Sequence, residues 1–197
     1  TGRYPGYTCG EHTLMNNIED CERIVNTMHA CLLKVPWSGS GKGLNWCLHG
    51  FTKPVSNWCE RILREQGCLT AEPIYNKVED FALEFYSDGC GAVRFAGYSM
   101  FSTNEHGAYT GNLLASDGQI EEIIARYLPL EKLERIREAL RTELASVYGY
   151  TYTGYLGVDM MICRQDKENK YLVHPCVEIN MRMNMGVVAR LFYDRFA

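Results

Sequence analysis

Residues 32–44 read Leu-Leu-Lys-Val-Pro-Trp-Ser-Gly-Ser-Gly-Lys-Gly-Leu, which is an apolar run, a Ser/Gly-rich loop with a second lysine, and another apolar run. Such a loop offers many backbone N–H groups, and its two lysines favour a polyanion such as the phosphates of a nucleotide. A Walker A loop needs Ser or Thr after Lys42, where Gly43 stands, and a dinucleotide-binding motif needs glycine in place of Leu44. The stretch is therefore either a phosphate-binding loop of another kind or a solvated hairpin loop.

The composition is that of a globular protein, because 46% of the 197 residues are hydrophobic and 22% are charged. The net charge of -4 argues against a general nucleic-acid-binding protein. The sequence contains no apolar run of about 20 residues, so it predicts no membrane-spanning helix. The N-terminus lacks the apolar stretch of a signal peptide. The nine cysteines form no Cys-x-x-Cys pair, so we interpret them as reduced thiols of a cytoplasmic protein.

Apolar periodicity predicts an α+β chain. Residues 1–16 are predicted to be irregular, and helices are predicted near residues 17–29, 54–66, 117–128, 130–148 and 186–196. Strands are predicted near residues 30–35, 44–49, 69–72, 81–86, 92–103, 109–115, 154–164 and 171–180. We therefore expect two lobes, a small one over residues 1–76 and a larger one over residues 77–197.

The last predicted hairpin carries a second polar cluster. Asp159 lies in an otherwise apolar strand, and Glu178, Asn180 and Arg182 stand at alternate positions, so these three side chains share one face. Carboxylate and amide oxygens suit Mg²⁺, which proteins commonly share with substrate phosphates. The guanidinium suits a second anion. The alternative is an exposed face on which Arg182 forms an ion pair with Asp159 or Glu178.

Together these clusters resemble the ATP-grasp family, the nucleotide-binding unit of biotin carboxylase, D-alanine–D-alanine ligase and related carboxylate ligases. The family's strand lysine and the basic residue of its glycine-rich loop are matched by Lys34 and Lys42. The resemblance implies that the loop holds the nucleotide's phosphates through Lys34, Ser38, Gly39, Ser40, Gly41 and Lys42.

The family's hinge acid resembles Glu72, which implies that adenine contacts the carbonyl of Pro73 and the N–H of Tyr75. Pro73 has a carbonyl but no N–H, and the implied adenine contact at this position uses only the carbonyl, so a proline is compatible with it. The ribose-binding residue would be Glu79 or Asp80, and we favour Asp80 because it begins the predicted strand Asp-Phe-Ala-Leu-Glu-Phe.

The family's metal ligands, an acid in one strand and Glu-x-Asn in the next, match Asp159, Glu178 and Asn180. The arginine two positions further on, found in the biotin-carboxylase branch, matches Arg182. The resemblance implies ATP and Mg²⁺ as cofactors, with Mn²⁺ as an alternative ion. Arg182 and Lys42 would be catalytic, Arg182 by holding the attacking carboxylate and Lys42 by neutralising the transferring phosphate.

The implied fold is a pair of lobes whose antiparallel sheets clamp ATP, and the implied reaction joins a carboxylate, activated as an acyl-phosphate, to an amine or another nucleophile. An ATP-binding module without ligase turnover and an ATP-grasp kinase remain as alternatives. The partners implied are small-molecule substrates, with neither nucleic acid nor a membrane. The family's usual N-terminal domain is not visible upstream, so we expect an incomplete fragment, completed by that missing domain or by a homodimer partner.

Overall fold

The chain divides into two compact units with separate cores. A computed structural model describes residues 6–38, 43–104, 107–165 and 168–197. The small unit consists of Gly10–Tyr75 and Asn104–Tyr109, and the large unit consists of Asn76–Thr103, Thr110–Ala197 and the segment that ends at Cys9. None of the helices in the described parts of the chain combines the length and the apolar composition of a membrane-spanning helix.

The small unit is built on a four-stranded antiparallel sheet with strand order β1-β4-β2-β3. Asn17 starts the first helix by accepting a hydrogen bond from the N–H of Asp20 at 2.8 Å, and Gly67 ends the second at φ 79°. The elements are, in chain order, β1 Thr13–Met15, α1 Ile18–Met28, β2 Cys31–Lys34, β3 Leu44–Cys47, α2 Lys53–Gln66 and β4 Leu69–Pro73.

Alternation along β2 and β4 gives the small sheet one apolar face and one polar face. Leu33 and Ala71 are register partners and are fully buried. Val25 of α1 and Cys59 of α2 pack into the same core, so both helices cover this face. Because successive side chains of a strand point to opposite faces, the polar residues of β2 and β4 lie on the other face.

The prediction that residues 1–16 are irregular is wrong at one point, because Thr13–Met15 form the edge strand β1. Thr13 pairs with Ala71 and Met15 pairs with Leu69 of β4. Met15 is 1% exposed in the core of the small unit. A run of three residues is too short to show an alternating pattern, so only its tertiary pairing defines this strand.

The large unit is built on a five-stranded antiparallel sheet with strand order β7-β6-β5-β8-β9. Its elements are β5 Lys77–Asp88, β6 Val93–Thr103, β7 Tyr109–Asn112, α3 Asp117–Ile124, α4 Leu130–Tyr148, β8 Thr153–Gln165, β9 Lys170–Asn180 and α5 Met185–Phe196. The predicted α+β class with two antiparallel sheets is therefore confirmed.

The two faces of the large sheet differ in character. Phe81, Leu83 and Met160 point to one face, where Ile120 of α3 and Ile136 of α4 join them in a buried core. The residues between them on β5 and β8 point to the other face. This second face, which we call the polar face, carries the predicted acidic residues and is the face on which α5 begins.

Helix α3 is shorter than predicted, since it ends at Ile124 rather than near Leu128. The N–H of Tyr127 bonds to the carbonyl of Ile124, three residues back, which marks a tighter turn. Leu128 precedes Pro129, and a residue before proline is driven out of the helical conformation.

Candidate functional site

The polar face of the large sheet brings the predicted acidic residues together. Strands β8 and β9 pair so that Asp159 lies opposite Glu178 and Gly157 lies opposite Asn180. On its other side, Asp159 is the partner of Ala82 in β5. Because directly paired residues point to the same face, Asp159, Glu178 and Asn180 form one polar cluster.

The amide of Asn180 links Asp159 to Arg182. Its Nδ2 donates a hydrogen bond to Oδ2 of Asp159 at 3.0 Å, and its Oδ1 accepts one from Nη2 of Arg182 at 2.9 Å. The N–H of Arg182 also donates to the carbonyl of Asn180 at 2.9 Å, so the chain turns directly after β9. The guanidinium is therefore held beside the carboxylates through the amide.

Asp159 has a strongly perturbed acidity. Burial, which has the largest effect, and the negative charges of Glu178 and Glu84 together raise the pKa of its carboxyl to about 7. The hydrogen bond from Asn180 acts in the opposite direction but is outweighed. A carboxyl group of this kind is a candidate for a functional site, because extra positive charge beside it would favour its ionised form.

The structure separates the two candidates for the ribose-binding residue. The carboxylate of Asp80 accepts hydrogen bonds from Lys77 Nζ at 2.5 Å and from Thr103 Oγ1 at 2.8 Å. Asp80 shares its face with Ala82, and hence with the acidic cluster. Glu79 instead accepts a hydrogen bond at 3.2 Å from the hydroxyl of Tyr127, whose ring packs against the core on the other face. Asp80 therefore lies on the polar face, and Glu79 does not.

In the small unit, Lys34 and Glu72 form an ion pair with an Nζ–Oε2 distance of 2.7 Å. Leu32 is the register partner of Glu72, and Lys34 is the partner of Thr70, so the two charged residues lie diagonally on one face. Only 17% of the Lys34 side chain and 9% of the Glu72 side chain are exposed. The strand lysine and the hinge acid that the sequence singles out are therefore neighbours.

The base of the glycine-rich loop is closed by a backbone hydrogen bond of 3.0 Å from the N–H of Val35 to the carbonyl of Gly43. A Cβ at Gly43 would lie 2.2 Å from Cγ2 of Val35 and 2.4 Å from Oγ of Ser38, so glycine is required there. Gln66 binds both the N–H and the carbonyl of Trp37, at 3.0 and 3.3 Å. Four predicted phosphate-binding residues lie outside the described residues: Gly39, Ser40, Gly41 and Lys42.

The predicted adenine-binding segment begins with the residue directly after Glu72. Pro73 is the last residue of β4 and pairs with Cys31. The hydroxyl of Tyr75 accepts hydrogen bonds from the N–H groups of Gly10 and Glu11 at 3.0 and 2.9 Å. Both ends of this short segment are therefore anchored within the small unit.

Comparison with models of known protein families and with curated proteins gives no match. Solved structures do match. Biotin carboxylase of Campylobacter jejuni, solved as a β-γ-ATP complex, has a TM-score of 0.61 at 14% identity over 93% of this chain and 39% of its own. The biotin carboxylase domain of Hydrogenobacter thermophilus 2-oxoglutarate carboxylase, solved with MgADP, ADP and bicarbonate, has a TM-score of 0.56 at 15% identity over 91% and 37%. D-Alanyl-alanine synthetase A of Vibrio cholerae O1 biovar eltor has a TM-score of 0.57 at 11% identity over 94% and 54%.

The chain has the ATP-grasp fold. At 11 to 15% identity these similarities show the fold alone. The chain spans 37 to 54% of the length of the three solved proteins.

The donor set on the polar face fits the Mg²⁺ that the ATP-grasp fold implies. Asp159 and Glu178 supply carboxylates from paired positions. Asn180 turns its Nδ2 toward Asp159 and its Oδ1 toward Arg182, so its amide would have to rotate to offer its oxygen to an ion beside Asp159. The raised pKa of Asp159 comes first from burial and then from repulsion by Glu178 and Glu84, and a cation beside these groups would relieve that repulsion. Within the described residues no three His, Cys, Asp or Glu side chains are grouped to hold a metal by themselves.

Sequence reasoning missed one buried acid of the large unit, Glu84, together with its partners Ser99 and Asn184. A signal for Glu84 exists, because it stands in the apolar run Phe-Ala-Leu-Glu-Phe of residues 81–85. The same argument that selects Asp159, an acid inside an apolar strand, selects Glu84 as well.

Proposed function

We propose that this chain binds ATP with Mg²⁺ and activates a carboxylate as an acyl-phosphate, which an amine or another nucleophile then attacks. The observation that carries the proposal is the pairing of Asp159 with Glu178 on one sheet face, with Asn180 linking this pair to Arg182. The fold supports it, since similar structures were solved with nucleotides, and one of these also with bicarbonate.

In the small unit, the proposal assigns phosphate binding to Lys34 and Lys42, with the backbone N–H groups of the loop beginning at Ser38 as further donors. These charges act by electrostatic stabilisation and positioning, which carry most of the catalysis in phosphoryl transfer. The base and sugar would be bound by Glu72, Pro73, Tyr75 and, from the large unit, Asp80.

In the large unit, Asp159, Glu178 and Asn180 would hold Mg²⁺, which supplies charge neutralisation between phosphate oxygens when bound. Arg182 orients the carboxylate substrate, because a planar guanidinium can donate two parallel hydrogen bonds to a carboxylate. The anchored turn after β9 limits the orientations of this side chain before the substrate arrives. The reaction needs no nucleophilic side chain of the protein.

The metal assignment is tested by Glu178→Gln, which removes one carboxylate charge while keeping the size of the side chain. We expect the affinity for ATP in the presence of Mg²⁺ to fall about tenfold or more, as is typical when metal sites are altered. ATP binding in the presence of a chelator should change little. Isothermal titration calorimetry with and without Mg²⁺ measures both.

The matched control is Glu138→Gln, an exposed glutamate of α4 that is paired with Arg141. This variant should bind ATP as the wild-type protein does, with and without Mg²⁺. An unchanged Mg²⁺ dependence in Glu178→Gln would remove Glu178 from the metal site.

The reaction type is tested by following phosphate release from ATP in the presence of a panel of carboxylates and amines. Release that requires both a carboxylate and an amine supports the ligase. A stable phosphorylated product would instead identify a kinase, and binding of ATP without turnover would identify a binding module.

A further inference from the structure

Glu84 is a buried carboxylate that the proposed reaction does not use. It is 1% exposed on the polar face of β5, between its register partners Gly97 and Gly157. Its Oε1 accepts a hydrogen bond from Oγ of Ser99 and its Oε2 accepts one from Nδ2 of Asn184, both at 2.9 Å. Both partners are neutral, and burial raises the pKa of Glu84. Burying a carboxyl group is costly, so this placement calls for a physical reason.

The surroundings of Glu84 are closely packed, because two glycines face it. A Cβ at Gly157 would lie 2.5 Å from Oε2 of Glu84 and 2.1 Å from Nδ2 of Asn184. A Cβ at Gly186 would lie 2.1 Å from Oε1 of Glu84 and 2.3 Å from Oγ of Ser99. Strand β8 and the first turn of α5 therefore approach the carboxyl group directly, and they hold it in one orientation.

Asn184 transmits this orientation to the start of α5. Its Oδ1 accepts a hydrogen bond from the N–H of Val187 at 2.9 Å, while its Nδ2 donates to Glu84, so both ends of the amide are engaged. Asn180 stands four residues earlier and is itself tied to Asp159. The short connection that carries Arg182 is thus fixed at both ends by asparagine amides.

We propose that Glu84 is a positioning residue, which holds the amide of Asn184 and through it the segment 181–184, so that Arg182 presents its guanidinium to an anion. The inference rests on the proposed function, in which Arg182 binds an anionic substrate. Glu84 itself acts only through Asn184 and does not touch the substrate.

The decisive variant is Asn184→Asp. Aspartate is a good N-cap and keeps the bond to Val187, but when both carboxyl groups are ionised it cannot donate a hydrogen bond to Glu84, so the variant is compared with the wild type at a pH high enough to ionise both groups. Adding Glu84→Gln restores a donor on the other side, because Gln can donate its amide to Asp and still accept from Ser99. The double variant therefore restores the hydrogen bond between positions 84 and 184, with position 84 now the donor and position 184 the acceptor.

Three measurements are needed. Calorimetry with MgADP reports nucleotide binding, and calorimetry with inorganic phosphate in saturating MgADP reports the anion site of Arg182. The NMR ¹⁵N–¹H signal of the Arg182 Nε group, assigned with Arg182→Lys, reports the environment of this side chain in the absence of ligand.

We expect Asn184→Asp to weaken phosphate binding about tenfold, which is the equivalent of one charge-assisted hydrogen bond. Its Arg182 signal should shift, while MgADP affinity changes by less than about twofold. The double variant should return phosphate affinity and signal towards the wild type.

A matched control is Asn17→Asp, the same substitution at the N-cap of α1. It should change neither the phosphate affinity nor the Arg182 signal. An Arg182 signal and phosphate affinity that are unchanged in Asn184→Asp would overturn the proposal. A change that the double variant fails to restore would also overturn it, since Asn184 would then act without Glu84. If the wild-type protein binds no MgADP, the proposed function fails, but the Arg182 signal of the single and double variants still decides the role of Glu84.

Discussion

Lys34 and Glu72 form the most enclosed ion pair of the small unit among the described residues, with an Nζ–Oε2 distance of 2.7 Å. At such a site neither charge is well solvated, so the loss of one partner removes an opposite charge from beside the other. The pair also means that the lysine assigned to phosphate is already neutralised by a carboxylate when no nucleotide is bound.

This coupling can be measured with the single variants Lys34→Met and Glu72→Gln and their double variant. We expect each single substitution to lower the free energy of unfolding by about 1–3 kcal/mol, the usual cost of an unsatisfied buried polar partner. The double variant should lose clearly less than the sum. Urea unfolding of the four proteins gives the coupling energy, and additive losses would show that the pair contributes nothing.

Glu84 gives a pH dependence of defined sign. Burial raises the pKa of Glu84 above its ordinary value of about 4.5, so the folded protein binds this proton more tightly than the unfolded chain does. Its contribution is therefore fully favourable below about pH 4.5 and is lost as pH rises through the raised folded-state pKa. The free energy of unfolding of the wild type relative to Glu84→Gln should fall over this interval, as urea unfolding at several pH values would show.

Glu138 is the control for that experiment. Its hydrogen bond with Arg141 lowers the pKa of the Glu138 carboxyl, so its small contribution should be lost as pH falls, which is the opposite sign. Parallel pH profiles for the wild type and Glu84→Gln would contradict the assignment of a raised pKa to Glu84.

The residues of the polar cluster differ in how far the sequence predicts them. Asp159, Glu178 and Asn180 can be found from the sequence because the period of two places polar groups on one face of apolar strands. The role of Glu84 cannot be found in this way. Its partner Asn184 lies 100 residues away along the chain, and only the folded sheet brings the two together.

At the level of elements, the strands and helices with strong periodicity were predictable, and the two exceptions have causes that periodicity does not show. The edge strand β1 has three residues and is defined by its pairing with β4. Helix α3 stops early because the chain must leave the helical conformation before Pro129. In both cases the feature that decides the element is not visible in the periodic pattern of apolar residues.

The hairpin formed by β2 and β3 depends on Gly43. In Gly43→Ala the new methyl group would collide with Val35 and Ser38 at the base of the loop. We expect the free energy of unfolding to fall by about 1–3 kcal/mol, as is usual for overpacking. The control is Gly111→Ala in β7, where a Cβ meets no atom within 4 Å. Thermal unfolding compares the two variants, and equal stability would contradict the steric requirement at Gly43.

At the scale of the whole molecule, the two separate cores predict two separable responses to core mutations. Leu33 of the small unit and Leu83 of the large unit are both fully buried. We expect Leu33→Ala and Leu83→Ala each to cost about 2–5 kcal/mol. Hydrogen–deuterium exchange should accelerate mainly in the unit that carries the substitution. Equal acceleration in both units for either variant would show that the chain opens as one cooperative body.

The glycines around Glu84 also restrict the order in which this sequence can change during evolution. A side chain at Gly186 needs the space of the Glu84 carboxyl group, so residue 84 has to become smaller first. A smaller residue at position 84, however, leaves the amide of Asn184 without its acceptor. Single substitutions are thus disfavoured from either direction. We expect relatives of this chain to keep Glu84, Asn184 and Gly186 as a set or to have replaced all three.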